Sequence, residues 1–144
     1  MAIFRVNLTA TNPNDTSKKT KPFAALVDTG SHLSWLPRQA LIDAGIVPKG
    51  QKRFINANSQ LHTRDIGYAI LTAEKYSTID EVVFAEKGDH ILHGVRTIEG
   101  FGMKVDNING RFEPVDRFFT GIRLVHEGEE IPEAQEDMPT ENEN

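Results

Sequence analysis

The chain has 144 residues, 38% of them hydrophobic, and a formal net charge of −5. That is room for one domain with a modest core plus a tail, and no apolar run approaches the about 18 residues of a membrane span. There is no cysteine, which excludes a disulfide framework, a zinc–thiolate site and a cysteine nucleophile.

The opening segment, MAIFRVNLTATNPND, lacks the basic start, apolar stretch and small-residue cleavage site of a secretory signal. A soluble cytoplasmic protein without a membrane partner is the plain reading. Ala2, Phe4, Val6, Leu8 and Ala10 alternate with polar residues, the period-two pattern of a half-buried strand. TNPNDTSKKTKP is a turn-rich loop. Its Lys18, Lys19 and Lys21 lack the aromatic interleaving of a nucleic-acid platform, so they read as solvated and no nucleic-acid partner is expected. Phe23 to Val27 is a continuous apolar run, as in a strand buried on both faces. Pro37 and Gly45 bracket a short helix.

Arg53–Asn56 and a longer segment with alternating Ile66, Tyr68 and Ile70 predict two strands. The Asn-Ala-Asn-Ser turn chemistry between them makes a hairpin. TIDEVVFA and HILHG supply two more strands, and GVRTIEGFG a short helix ended by glycine. Met103–Val105 and Phe112–Val115 flank DNING, whose Asn109-Gly110 is the strongest hairpin signal in the chain. Many short strands with one or two short helices predict an all-β fold, closed or sandwich-like.

The last nineteen residues, from His126 to Asn144, hold eight acids and no Lys or Arg. Taking eight negative charges from a chain of net charge −5 leaves a body of +3. The tail is too poor in large apolar residues to offset its ordering entropy, so residues 126–144 read as a disordered, solubilising segment after a domain over residues 1–125.

The chemistry centres on ALVDTGS, where an apolar strand runs into Asp28, Thr29, Gly30 and Ser31. Glycine permits a tight turn and close approach of another backbone, and the two hydroxyls can hydrogen-bond near the carboxylate. Two such carboxylates about 3 Å apart cannot both ionise and share one proton. One then acts as general base on a water while the other, protonated, stabilises the developing oxyanion of a peptide carbonyl. The chain has a single Asp-Thr-Gly, so a dyad needs a second copy across a two-fold axis. Asp43, Asp65 and Asp106 each lack the strand–Asp–Thr/Ser–Gly setting of a second acid.

On these residues the chain resembles the single-domain, retropepsin-like aspartic proteases, in particular their small bacterial clan. ALVDTGSHLSWLP is similar to their active-site strand and loop, and RFINANSQLHTRDIGYAIL sits where they carry a flap hairpin. ILHGVRTIEGFGMKVDNINGRFEPV resembles their second half: two apolar residues, a glycine, a short helix, a second glycine and a final strand pair. The likeness runs from Ala2 to Leu124. It implies a closed retropepsin-like barrel in an obligate homodimer that cleaves a peptide or protein substrate without cofactor or metal.

The resemblance also implies roles for individual residues. Asp28 would be the catalytic carboxylate, Thr29 would lock the two loops across the dimer, and Gly30 would let substrate backbone lie close. Ser31 would hydrogen-bond the carboxylate. Asn56, Ala57, Asn58, Ser59 and Gln60 would form the flap tip, and Gly94 with the helix from Val95 to Glu99 would support the loop from beneath. Arg111 to Val115 would serve the dimer interface or the closing sheet.

The chain departs from that pattern at His93, where an apolar residue usually precedes the glycine, and in its polar, glycine-free flap tip. His93 is the departure able to lower activity or make it pH-dependent. A catalytically silent dimeric binding module on the same fold is therefore the alternative. An unrelated β-barrel with a coincidental motif is the third reading. His90 and His93 read as a loop pair, not a metal site; His32 is expected to face solvent, and Trp35 to pack under the active-site loop. No Gly-x-Ser-x-Gly turn surrounds Ser31, against a serine nucleophile paired with His62 or His93.

Overall fold

A computed structural model of the chain describes residues 3–116 and Gly128. The start of the first predicted strand at Ala2, the domain end at residue 125 and the acidic segment 126–144 lie outside the described residues, Gly128 excepted. The described residues are mostly β: β1 (Arg5–Thr11), β2 (Phe23–Asp28), β3 (Ser34–Pro37), α1 (Arg38–Asp43), β4 (Gly50–Ile55), β5 (Leu61–Ala73), β6 (Tyr76–Ala85), β7 (Leu92–Gly94), α2 (Val95–Gly100), β8 (Met103–Asp106) and β9 (Arg111–Pro114). No helix among them is long and apolar enough to cross a membrane.

Seven strands form one sheet in the order β1-β2-β7-β3-β6-β5-β4. β1 pairs twice: Arg5–Leu8 runs antiparallel to β2, and Thr9–Thr11 continues antiparallel to Ile70–Thr72 of β5. β8 and β9 form a separate two-stranded sheet. The alternation along β1 is realised as expected, with Val6, Leu8 and Ala10 buried and Arg5 and Asn7 exposed. These three join Ala25, Leu36, Leu41, Leu71, Val82 and Phe84 in the main core. β6 is buried on both faces near its end: Val82 and Phe84 enter this core, while Val83 enters a second cluster with Leu33 and Ile66.

One expectation needs correction. β2 is hydrogen-bonded on both edges, by β1 and β7, but it is not buried on both faces: Ala25 alone is fully buried and Ala24 is exposed. A continuous apolar run cannot by itself tell one covered face from two. The β8–β9 hairpin is present as expected; Asp106 pairs with Arg111, which leaves a four-residue loop that contains Asn109-Gly110. The Asp106 carboxylate accepts the N–H groups of Ile108 (3.0 Å) and Asn109 (3.2 Å), which widens the loop. Gly110 then closes it at φ +67°, in the left-handed region that glycine enters without strain.

Candidate active site

Asp28 is the last residue of β2. β2 runs parallel to β7 with Leu26, Val27 and Asp28 opposite Leu92, His93 and Gly94. β7 in turn meets β3 at Trp35–Leu92, and β3 runs parallel to β6. The carboxylate therefore stands at the end of a strand held on both sides, which is the rigid support the sequence pattern suggests.

The loop after Asp28 is pinned from several directions. Gly30 donates its N–H to Asp28 Oδ1 at 2.8 Å, and the Ser31 N–H bonds the Asp28 carbonyl at 3.0 Å. The first N–H groups of α2 hold the loop from below, Val95 on the Ser31 carbonyl (2.9 Å) and Arg96 on the His32 carbonyl (3.1 Å). This crossing demands glycine at 94. A Cβ there would stand 2.5 Å from the Leu33 oxygen and 2.8 Å from the His32 oxygen, inside any allowed contact. Gly94 thus lies under the Asp-Thr-Gly loop and level with Asp28. Ser31 differs from expectation: its hydroxyl donates to the Leu33 carbonyl at 2.7 Å, a local bond two residues on, and the carboxylate takes the Gly30 amide instead. Thr29 and Gly30 are exposed, at the open side of the loop.

A polar network behind the loop escaped the sequence reading. The Gly94 N–H donates to Ser34 Oγ (2.9 Å), whose hydroxyl lies 2.7 Å from Thr97 Oγ1, and Thr97 donates to Asp80 Oδ2 at 3.1 Å. Arg96 Nε completes the chain on Asp80 Oδ1 at 3.1 Å. Ser34, Thr97, His93 and Asp80 are all buried. Each buried polar group in the chain from Gly94 to Asp80 has a partner, so the network ties β7, β3, α2 and β6 into one block beneath Asp28.

Above the loop lies a cleft of about 900 Å³ lined by Asp28, Gly30, Ser31, Trp35, Phe54 and Asn56, among others. Leu33, Trp35, Phe54 and Leu92 make part of its wall apolar, while His32, His62, His90 and Asp89 supply polar edges. Trp35 both lines this cleft and packs on the second core cluster. Its ring lies 4.9 Å from that of Phe54, joining the floor to the β4–β5 hairpin just before its tip. His32 is exposed, as expected. Asp89 is held below the usual carboxylate range chiefly by a two-pronged bond from Arg64, at 2.7 and 2.9 Å.

The hairpin tip roofs the cleft. Ile55 pairs with Leu61, leaving residues 56–60 as the turn, and Asn56, Ala57 and Asn58 line the cleft. Asn56 organises the turn. Its Oδ1 accepts the N–H groups of Asn58 (2.9 Å) and Gln60 (3.0 Å), and its own N–H bonds the Gln60 carbonyl at 3.0 Å. The left-handed residue that this turn requires is Ser59, at φ +63°, where glycine would be expected.

His90 and His93 do not come together. His90 is exposed on the cleft, whereas His93 is fully buried on the opposite side of β7. Its ring sits edge-on to Phe101 (5.6 Å) and Phe112 (5.3 Å), and among the described residues Nε2 has no partner. Burial pushes its pKa down to about 4, so it is neutral at pH 7. His93 thus faces the aromatic packing between the sheet and the β8–β9 hairpin, not the cleft.

Comparison with family patterns, curated proteins and solved structures finds no match to this chain.

Proposed function

We propose that this chain is a retropepsin-like aspartic endopeptidase: a closed β-barrel that pairs into a homodimer and hydrolyses peptide bonds with two Asp28 carboxylates, one from each subunit. The observation that carries the reading is the placement of Asp28. It ends a strand locked against Gly94 and α2, and it opens into a cleft covered by a hairpin. The twofold pairing of β1 with β2 and β5 supports the barrel. A cytoplasmic location goes with the reading on the cysteine-free composition alone.

In the dimer the two carboxylates share one proton, because like charges about 3 Å apart cannot both ionise. The ionised member removes a proton from a water between them, and the water oxygen bonds to the scissile carbonyl carbon. The carbonyl oxygen takes the second carboxyl's proton. As the tetrahedral intermediate collapses and its C–N bond breaks, the first carboxyl gives its proton to the leaving amine and a hydroxyl of the intermediate returns one to the second carboxylate, which restores the shared proton. Gly30 keeps side chains away from this place, since a Cβ on it would stand 3.2 Å from Asp28 Oδ1. The apolar wall at Leu33, Trp35 and Phe54 suits an extended substrate with apolar side chains.

The alternative, a silent dimeric binding module, draws on the roof. The tip's polar groups bond to one another, leaving fewer for a substrate backbone. Cleavage of an unbiased peptide mixture, read by mass spectrometry from acid to neutral pH, separates the two. The protease reading predicts products from the wild type and none from Asp28→Asn. Silence from a confirmed wild-type dimer favours the binding module.

A further inference from the structure

The bond between the roof and His62 has a direction that the geometry fixes. Asn56 Oδ1 is committed to two backbone N–H donors, so the orientation of its amide is settled. Its Nδ2 then faces two partners, Gln60 Oε1 at 3.1 Å and His62 Nε2 at 3.1 Å. An amide nitrogen has two protons, one for each. His62 Nε2 must accept, which makes this ring neutral with its proton on Nδ1. A proton added to Nε2 would set two donors against each other across 3.1 Å.

Asp89 lines the same cleft as His62, and both its carboxylate oxygens are held by Arg64. The other charged or titratable groups that line the cleft are His32, His90 and Asp28; Phe54 stands directly opposite His62 in the hairpin. Neutral His62 bonds the roof, and charged His62 has no lone pair on Nε2 with which to accept from Asn56.

We infer that His62 is a positioning residue for the roof of the cleft, a proton-sensitive latch that holds the tip at residues 56–60 through Asn56 when neutral and releases it when charged. Its consequence for turnover rests on the protease reading: opening on the acid side would raise KM more than it lowers kcat. The latch itself does not depend on hydrolysis.

The test is therefore spectroscopic, on the full-length Asp28→Asn protein, which avoids self-digestion. Nitrogen-15 spectra of the His62 ring and the Asn56 side-chain amide are followed from pH 7.5 to 5. Amide exchange at Asn58 and Gln60 is corrected for intrinsic rates and referenced to Ala69 and Val82. The expected result is an Nδ1–H ring at neutral pH and an Asn56 amide that titrates with the ring's midpoint. Protection at the two tip amides should fall about tenfold, the scale of one hydrogen bond. His62→Gln, whose Oε1 accepts without titrating, should hold the Asn56 amide and the tip constant across the range. An Nε2–H ring at neutral pH, an Asn56 amide that ignores the titration, or the same loss in His62→Gln would overturn the inference. None of these outcomes depends on whether peptides are cut.

Discussion

Replacing His93 with Leu turns the buried imidazole into a measurable pH effect. The ring is fully buried between Phe101 and Phe112 and its pKa is down to about 4, against 6.5 for the free side chain. Between those values the unfolded chain binds a proton here that the folded chain does not. Stability is therefore full above pH 6.5 and falls as pH drops through the window toward 4. A gap of roughly 2.5 units at about 1.4 kcal/mol each comes to about 3.5 kcal/mol in full, of which about 3 kcal/mol is lost by pH 4, where the folded group is half protonated. At pH 7 the substitution should cost little. It removes an unpartnered buried nitrogen worth roughly 1–3 kcal/mol of strain and gives up some ring packing in return. Urea denaturation of both proteins at pH 7 and pH 4, at matched concentration in an Asp28→Asn background, reads the difference. Carboxylates such as Asp65, Glu81 and Asp89, whose partners hold their pKa values down, lose stability on acidification in both proteins and cancel in the comparison. The wild type should lose about 3 kcal/mol more than His93→Leu. Equal losses would refute the placement of a neutral histidine in that packing.

The block beneath Asp28 gives further predictions. Gly94→Ala drives a methyl group into the Leu33 and His32 carbonyls; it should destabilise by about 3 kcal/mol, seen in a thermal melt, and displace the Asp28 loop. Ser34→Ala strips the Gly94 amide and Thr97 of their shared partner, and chemical denaturation should show a loss of roughly 2 kcal/mol. Ser59→Gly relieves the left-handed backbone of the roof at φ +63°. It should be neutral to stabilising by up to about 1 kcal/mol in the same assay, where most changes at the tip would be destabilising.

What was legible in the sequence was local. The alternation of β1 announces its buried face, Pro37 and Gly45 bracket α1 (Arg38–Asp43), and an apolar strand running into Asp-Thr-Gly marks a carboxylate on a rigid end. His93 was half legible. Along β7, Leu92 lines the cleft and the next residue must point the other way, which is where the ring lies. The supporting network was not legible. Ser34, Asp80 and Thr97 are common polar residues, far apart in the chain, and only the parallel pairing of β3 with β6 and the crossing of α2 bring them together. The order of the roof was not legible either, because it comes from one asparagine side chain satisfying two amides while Ser59 takes the left-handed turn. The Ser31 hydroxyl is taken by the Leu33 carbonyl, a local bond that the Asp-Thr-Gly-Ser pattern does not announce.

The central claim is that one active site needs two copies of Asp28, and subunit mixing tests it most directly. Wild type and Asp28→Asn are combined in equal amounts, allowed to exchange, and assayed for peptide cleavage at a fixed total concentration. A shared dyad predicts about a quarter of the all-wild-type rate, because only that share of random dimers carries both carboxylates. A rate of about half, unchanged on dilution to monomer, would mean that each chain acts alone and would contradict the account.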